Sequence, residues 1–175
     1  MTNIIFKGIH GTTKYHFESI DQKGFIILPD AKIGKAGKGI YFWHYKKNRG
    51  TAIYCAQKWY DFALKQKMYD SNKDCQIVKI DVSIEADKEK VLDFDMEVRE
   101  SFDEAFPIGS HNESSYGAML DVFMQDLEES LNISYDLITV DLSVPGLGRN
   151  VAFSNGHPAL IVKNDIDIKI IECID

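Results

Sequence analysis

Four short stretches put chemically capable side chains at the ends of likely elements: "HGT" at His10–Thr12, Gly24–Phe25, "GKGIYF" at Gly37–Phe42 and "TAIYC" at Thr51–Cys55. A histidine followed by glycine offers a ring nitrogen beside an unshielded backbone. Tyr41 and Tyr54 offer flat, electron-rich faces, which suit a cationic or electron-poor ring. The stretch "GKAGKGIYFW" sets Gly34, Gly37 and Gly39 directly before an aromatic run. It is not a phosphate loop of the nucleotide-triphosphate kind, because no Ser or Thr follows a Gly-Lys pair and the next element reads as a strand. Taken singly, each stretch also has a plain reading: a packed imidazole at a strand end, a core tyrosine, a glycine turn.

The elements that must carry these residues follow from periodicity. Asn3 to Ile9 reads as a strand, and Tyr15, Phe17 and Ile20 fall on a helix closed by Gly24, with a second strand after it. Ile40 to Trp43 reads as a strand. A helix spans about Gly50 to Gln66 with Ala52, Cys55, Ala56, Trp59, Phe62 and Ala63 on its apolar side. Cys75 to Ile84 alternates with period two, as a half-buried strand does. Residues 85 to 113 are charged and weakly patterned, and read as a loop with one helical turn. Tyr116, Met119, Leu120, Phe123, Met124, Leu127 and Leu131 recur at helical spacing. "YDLITVDL" is a strand, "SVPGLGRN" a loop, and "ALIVKNDIDIKIIECI" two strands around a turn at Asn164 and Asp165. The order of strands and helices predicts an α+β fold, as one domain over residues 1–175.

Composition narrows the partners. Against 20 Lys and Arg stand 27 Asp and Glu, a net charge of -7, which opposes a surface built to neutralise duplex phosphates. A local basic run, Lys32, Lys35, Lys38, Lys46, Lys47 and Arg49, reads either as a solvated loop or as a patch for an anionic ligand. Cys55, Cys75 and Cys173 lack paired or metal-like spacing, so neither a disulfide framework nor a metal site is expected. With no basic leader before an apolar run and no window long enough for a membrane span, a cytoplasmic protein with no membrane partner is expected, or one exported without a visible signal.

Together, in this order and spacing, the four stretches resemble the poly(ADP-ribose) polymerase and diphtheria-toxin branch of the ADP-ribosyltransferases. The resemblance runs from about Ile5 to Cys55; beyond that it is one of element order. It implies a split β-sheet with flanking helices whose cleft binds NAD as substrate. It also implies roles: His10 bonding a ribose hydroxyl, Gly11 and Thr12 presenting the strand end to the cofactor with the Gly11 backbone on the nicotinamide amide, Thr51 supplying a hydroxyl to that amide where serine is usual, and Tyr41 and Tyr54 enclosing the ring. The glycines before Tyr41 would keep the loop low, so that a ring can lie on it.

The chain departs from the family where a late-strand glutamate normally polarises the acceptor. That position holds Ala159, after Pro158, with His157 two residues upstream. Alanine can neither accept a proton nor bond a hydroxyl. Three readings stay open: another residue acts there, with His157 nearest in sequence and Glu172 or Asp141 on neighbouring strands; mono-transfer places weaker demands on the position; or the domain binds NAD or ADP-ribose without chemistry. The catalytic set is then His10, Tyr41 and His157, and the expected activity is mono-ADP-ribosylation of a protein or nucleic acid, in the setting of a bacterial toxin or phage-defence effector. An NAD-dependent RNA 2'-phosphotransferase shares the fold but needs converging basic residues, and the arginines are Arg49, Arg99 and Arg149. Arg149 reads as solvated or acceptor-facing. Trp43, His44 and Tyr45 read as packing or as an aromatic platform.

Overall fold

Alternating apolar residues build most of the strands, and the computed structural model, which describes residues 2–30, 32–109, 112, 115–146 and 156–174, arranges them in one sheet. In chain order the elements are β1 (Asn3–Thr13), α1 (Lys14–Lys23), β2 (Ile40–Tyr45), α2 (Gly50–Lys65), β3 (Ile77–Asp87), a 3-10 turn (Lys88–Lys90), β4 (Val91–Asp93), α3 (Met96–Ala105), α4 (Tyr116–Leu131), β5 (Leu137–Ser143), β6 (Gly156–Val162) and β7 (Asp167–Ile174). The sheet runs β4-β5-β6-β2-β1-β3-β7, antiparallel except for the β4–β5 pair.

Its two halves are unequally joined. β1 pairs with β3 along its whole length, Asn3 to Thr13, and β2 pairs with β6 from Ile40 to Trp43. Between β1 and β2 the register holds only Lys7 to Ile9 against Tyr45 to Trp43. Beyond Ile9 the two central strands part, and His10, Gly11 and Thr12 lie past the point of separation.

Each face is covered. α2, α3 and α4 bury Ala52, Cys55, Ala56, Phe102, Met119, Leu120 and Met124 against Ile9, Trp43, Ile138, Ala159 and Ile161. On the other face Phe17 and Ile20 of α1, with Phe25 and Ile27, cover Phe42, Ile80, Val82, Ile84, Leu160 and Val162. Thr13 ends β1 and starts α1, its hydroxyl accepting from the His16 N–H, and Gly24 ends α1 at φ 75° with its N–H on the Ile20 carbonyl. That positive φ is the reason a glycine stands there.

Several expectations are corrected. Residues 85–113 hold β4 and the ten-residue α3. Asp95 caps α3 by accepting from the Val98 N–H, and Val98, Phe102 and Phe106 recur every four residues. Glu97, Arg99, Glu100, Asp103 and Glu104 crowd the stripe and hide it. The stretch after Gly24 is no strand: Phe25 to Leu28 has no regular structure, and Ile26 and Leu28 are exposed. Tyr60 is buried in α2 while Phe62 is exposed, and Leu131 of α4 is exposed too. β3 is not half-buried but enclosed on both faces from Val78 to Val82. Its alternating polar residues lie under α2, where the Lys79 ammonium donates to the Gln57 amide oxygen and Asp81 meets Arg49.

Candidate functional site

The parting of β1 from β2 is closed at its apex by a side chain. His10 lies at 2.8 Å from the Tyr41 carbonyl through Nδ1. A carbonyl only accepts, so Nδ1 carries the proton and donates, and Nε2 is left with its lone pair. Phe25 meets the ring edge-on and Phe42 packs against it at a tilt, on the α1 face of the sheet. On the same face a groove of about 400 Å³ opens beside Phe25, with Ile27, Ile40 and Val162 among its walls.

Tyr41 points to the other face, among the α2 and α4 side chains. Its hydroxyl donates to the Gly37 carbonyl at 2.5 Å and accepts from the Ala36 N–H at 3.0 Å. Burial, more than it is offset by the Ala36 N–H, raises the phenol pKa well above its usual range and keeps it protonated. The glycines of the loop have a steric duty different from leaving an open floor. A Cβ on Gly34 would stand 2.4 Å from the Tyr41 hydroxyl oxygen, and Gly37 and Gly39 adopt φ of 83° and 151°. The loop wraps the hydroxyl, and α4 clamps the loop: Asp121 accepts from the Lys38 N–H at 2.9 Å and from the Lys163 ammonium at 2.6 Å.

Gly11 likewise faces α2, where an added Cβ would meet the Ala56 carbonyl oxygen at 2.9 Å. Its missing side chain lets the helix lie against the strand end. Thr12 is buried beside it. Thr51 and Tyr54, three residues apart on the first turns of α2, are both exposed, and the Lys58 ammonium lies 5.3 Å from the Tyr54 ring centre. The structure thus gathers His10, Gly11, Thr12 and Tyr41 at one junction, with His10 and Tyr41 on opposite faces, and presents Thr51 and Tyr54 on the helix that covers the Tyr41 face.

Across that helix-covered face one register row reads Val140, Ala159, Trp43, Ile9, Asp81, Glu172. Ala159 is 2% exposed and sits opposite Trp43. His157 shares its face, 6.2 Å from the Trp43 ring centre, and its Nε2–H donates to the His44 carbonyl at 3.0 Å, leaving Nδ1 as acceptor. Asp141 pairs with Pro158 and so lies on the face away from Ala159. Glu172 is four strands away, roughly 19 Å at the usual strand spacing, and is bound to Arg49. Arg149 lies outside the described residues.

Asp81 is the functional-looking group that periodicity concealed. It is 2% exposed, and accepts from the Tyr45 hydroxyl at 2.7 Å and from Arg49 Nη1 at 2.8 Å. Burial first, then the bond to Asp81, push the Tyr45 phenol up to about 12. Among the described residues no group of three or more His, Cys, Asp or Glu could hold a metal ion, and no helix is long and apolar enough to cross a membrane.

Burial lowers the pKa of His10 below 6.5, outweighing its bond to the Tyr41 carbonyl, and lowers that of His157 in the same way. A group with a depressed folded pKa binds fewer protons folded than unfolded, so its stabilising contribution is complete above 6.5 and is lost as pH falls through the folded value. The urea midpoint is therefore expected to drop on going from pH about 7 to about 5. The slope should flatten in His10→Gln/His157→Gln; an unchanged slope would mean that both rings are solvated.

No family model, curated protein or solved structure matches the chain.

Proposed function

We propose that the protein is an NAD-dependent mono-ADP-ribosyltransferase acting on a macromolecular acceptor, with the cofactor lying across the junction where β1 and β2 separate, as in an ADP-ribosyltransferase-like split sheet. The observation that carries this reading is His10. The Tyr41 carbonyl fixes its tautomer and its orientation, so Nε2 is ready to accept from a ribose hydroxyl at the mouth of the split. The groove beside Phe25 has room for the adenosine half on the His10 face. On the other face Tyr41 and Tyr54 offer ring surface to the nicotinamide, and the Gly11 backbone and Thr51 hydroxyl offer partners to its amide.

In the reaction the bond from ribose C1' to the nicotinamide nitrogen breaks, and its electron pair leaves with nicotinamide. The oxocarbenium-like ribose is attacked by an acceptor lone pair, and the acceptor's proton passes to a base. His157 is the base we assign, through Nδ1, because it lies on the Ala159 face with that nitrogen unprotonated. His10 and the two aromatic rings orient the dinucleotide for this displacement.

A second reading is favoured by one observation: Ala159 is enclosed under Trp43 with no carboxylate beside it on its own strand. It is a domain that binds NAD or ADP-ribose without turnover. The phosphotransferase reading loses ground, since Arg49 is already held by two carboxylates.

Nicotinamide release, measured with NAD plus either a protein lysate or total RNA, separates these readings. Release dependent on one pool identifies a transferase and its acceptor class; binding without release in either pool identifies the reader. Tyr41→Phe keeps the ring and should retain NAD affinity within about threefold, while Tyr41→Ala should lose more than about tenfold. Tyr41→Phe also strips the Ala36 N–H and Gly37 carbonyl of their partner, at a cost of about 1–2 kcal/mol in a denaturant titration. Equal affinity in both variants would remove the ring from the binding site.

A further inference from the structure

The start of α2 is held in an unusual way. Arg49, its N-cap, has helical backbone angles (φ -79°, ψ -8°), makes no side-chain cap, and the first turn holds no acidic residue. The Gly50 N–H is taken by Asn48. What ties this end to the sheet is the Arg49 side chain, whose Nη1 donates to Asp81 at 2.8 Å and to Glu172 at 2.6 Å. Asp81 also takes the Tyr45 hydroxyl. Both ends of the link from β2 to α2 are therefore pinned to one buried carboxylate.

Glu172 reaches this point because of a bulge. Along β7, Ile168 and Ile170 pair with Ile84 and Val82, but Glu172 pairs with Asp81, so Ile171 is an extra residue opposite the β3 step from Asp81 to Val82. Strand side chains alternate, and an inserted residue reverses the faces beyond it. Without Ile171, Glu172 would follow Ile168 and Ile170 onto the α1 face. With it, Glu172 turns to the α2 face and meets Arg49.

We infer that Tyr45, Arg49, Asp81 and the bulge-turned Glu172 form a positioning network that fixes the first turn of α2, and with it the Thr51 hydroxyl and Tyr54 ring, for the nicotinamide end of the dinucleotide. This rests on the transferase reading above. Arg49 and Glu172 act through the helix, so they are positioning residues; Thr51 and Tyr54 are the groups that touch the ligand.

The test uses Arg49→Gln and Glu172→Gln in the full chain. Glu172 is half-exposed as a side chain, so its variant keeps the core intact. Titrations with NAD, nicotinamide and ADP-ribose, and amide exchange over residues 50–54, are read together. Loss of a charge-assisted support predicts nicotinamide binding weaker by about tenfold, ADP-ribose unchanged within about twofold, and faster exchange at 50–54 with β3 unchanged. Equal weakening of both ligands, or unchanged exchange at 50–54, would overturn the network's role. Wild-type protein that binds NAD alongside variants that bind it equally well overturns this inference alone. Wild-type protein that binds neither NAD nor nicotinamide overturns the transferase reading and this inference with it.

Discussion

Ala159→Glu, which would put a glutamate at the late-strand position that the proposed transferase reading leaves without one, is expected to destabilise the protein severely rather than activate it. Ala159 is 2% exposed, opposite Trp43 on one side and Val140 on the other, in a cluster with Ile9 and Ile161. A carboxylate there would be buried, and among the described residues Arg49 is held three strands away by Asp81 and Glu172. An unpaired buried charge costs about 3–5 kcal/mol, and forcing the added atoms against Trp43 costs a further ~1–3 kcal/mol. The combined loss of about 4–8 kcal/mol is a large part of the ~5–15 kcal/mol that holds a domain together. A urea titration followed by circular dichroism should show a midpoint far below that of the wild type. A stable Ala159→Glu protein that releases nicotinamide faster than wild type would show that the space beneath Trp43 opens in solution and that a glutamate can act there.

The size exchange between Trp43 and Ala159 explains how far the sequence could be read. Both residues can be read from the sequence, but a strand register cannot be seen in one chain, and only the register sets the large residue opposite the small one. Where local chemistry decides, the reading carried: Gly24 closes α1, and the apolar stripe of α4 packs against the sheet from Tyr116 to Leu127, with Leu131 left exposed. Where pairing decides, it did not. Asp81 and Lys79 alternate with Val78, Ile80 and Val82 and so imitate a solvent face, yet their partners Arg49 and Gln57 come from α2, which buries them. Nothing in "DIKIIECI" marks Ile171 as the extra residue, because Ile168, Ile170 and Ile171 fit either register. The sequence offered Glu172 as a possible catalyst from a neighbouring strand; the register shift in β7 turns it toward Arg49 at the start of α2, four strands from Ala159.

Gly117→Ala is expected to damage the candidate site from the opposite side of the loop, and it sets two opposed effects against each other. On helix propensity alone, alanine in place of a glycine inside α4 should stabilise by about 1 kcal/mol. However, a Cβ at Gly117 would stand 1.9 Å from the Gly34 carbonyl oxygen and 2.9 Å from an Ile33 methyl. The first of these is a backbone atom in the loop that Asp121 and Tyr41 hold in place, so it cannot simply rotate away. The steric term wins: α4 and the loop must separate by more than an ångström, loosening the Asp121 bonds to Lys38 and Lys163 and withdrawing Gly37 and Ala36 from the Tyr41 hydroxyl. Net destabilisation of about 2–4 kcal/mol is expected in denaturant titrations, with NAD affinity falling more steeply than in Tyr41→Phe because the whole cradle moves rather than one hydroxyl. Gly24→Ala is the informative contrast. Its Cβ would meet nothing within 4 Å, and its cost of about 1–3 kcal/mol comes from the backbone alone, a φ of 75° with ψ of -176°, where residues with a Cβ are strained. If Gly117→Ala proved as mild as Gly24→Ala, α4 would not be seated on the glycine loop, and the orientation of Tyr41 would need another support.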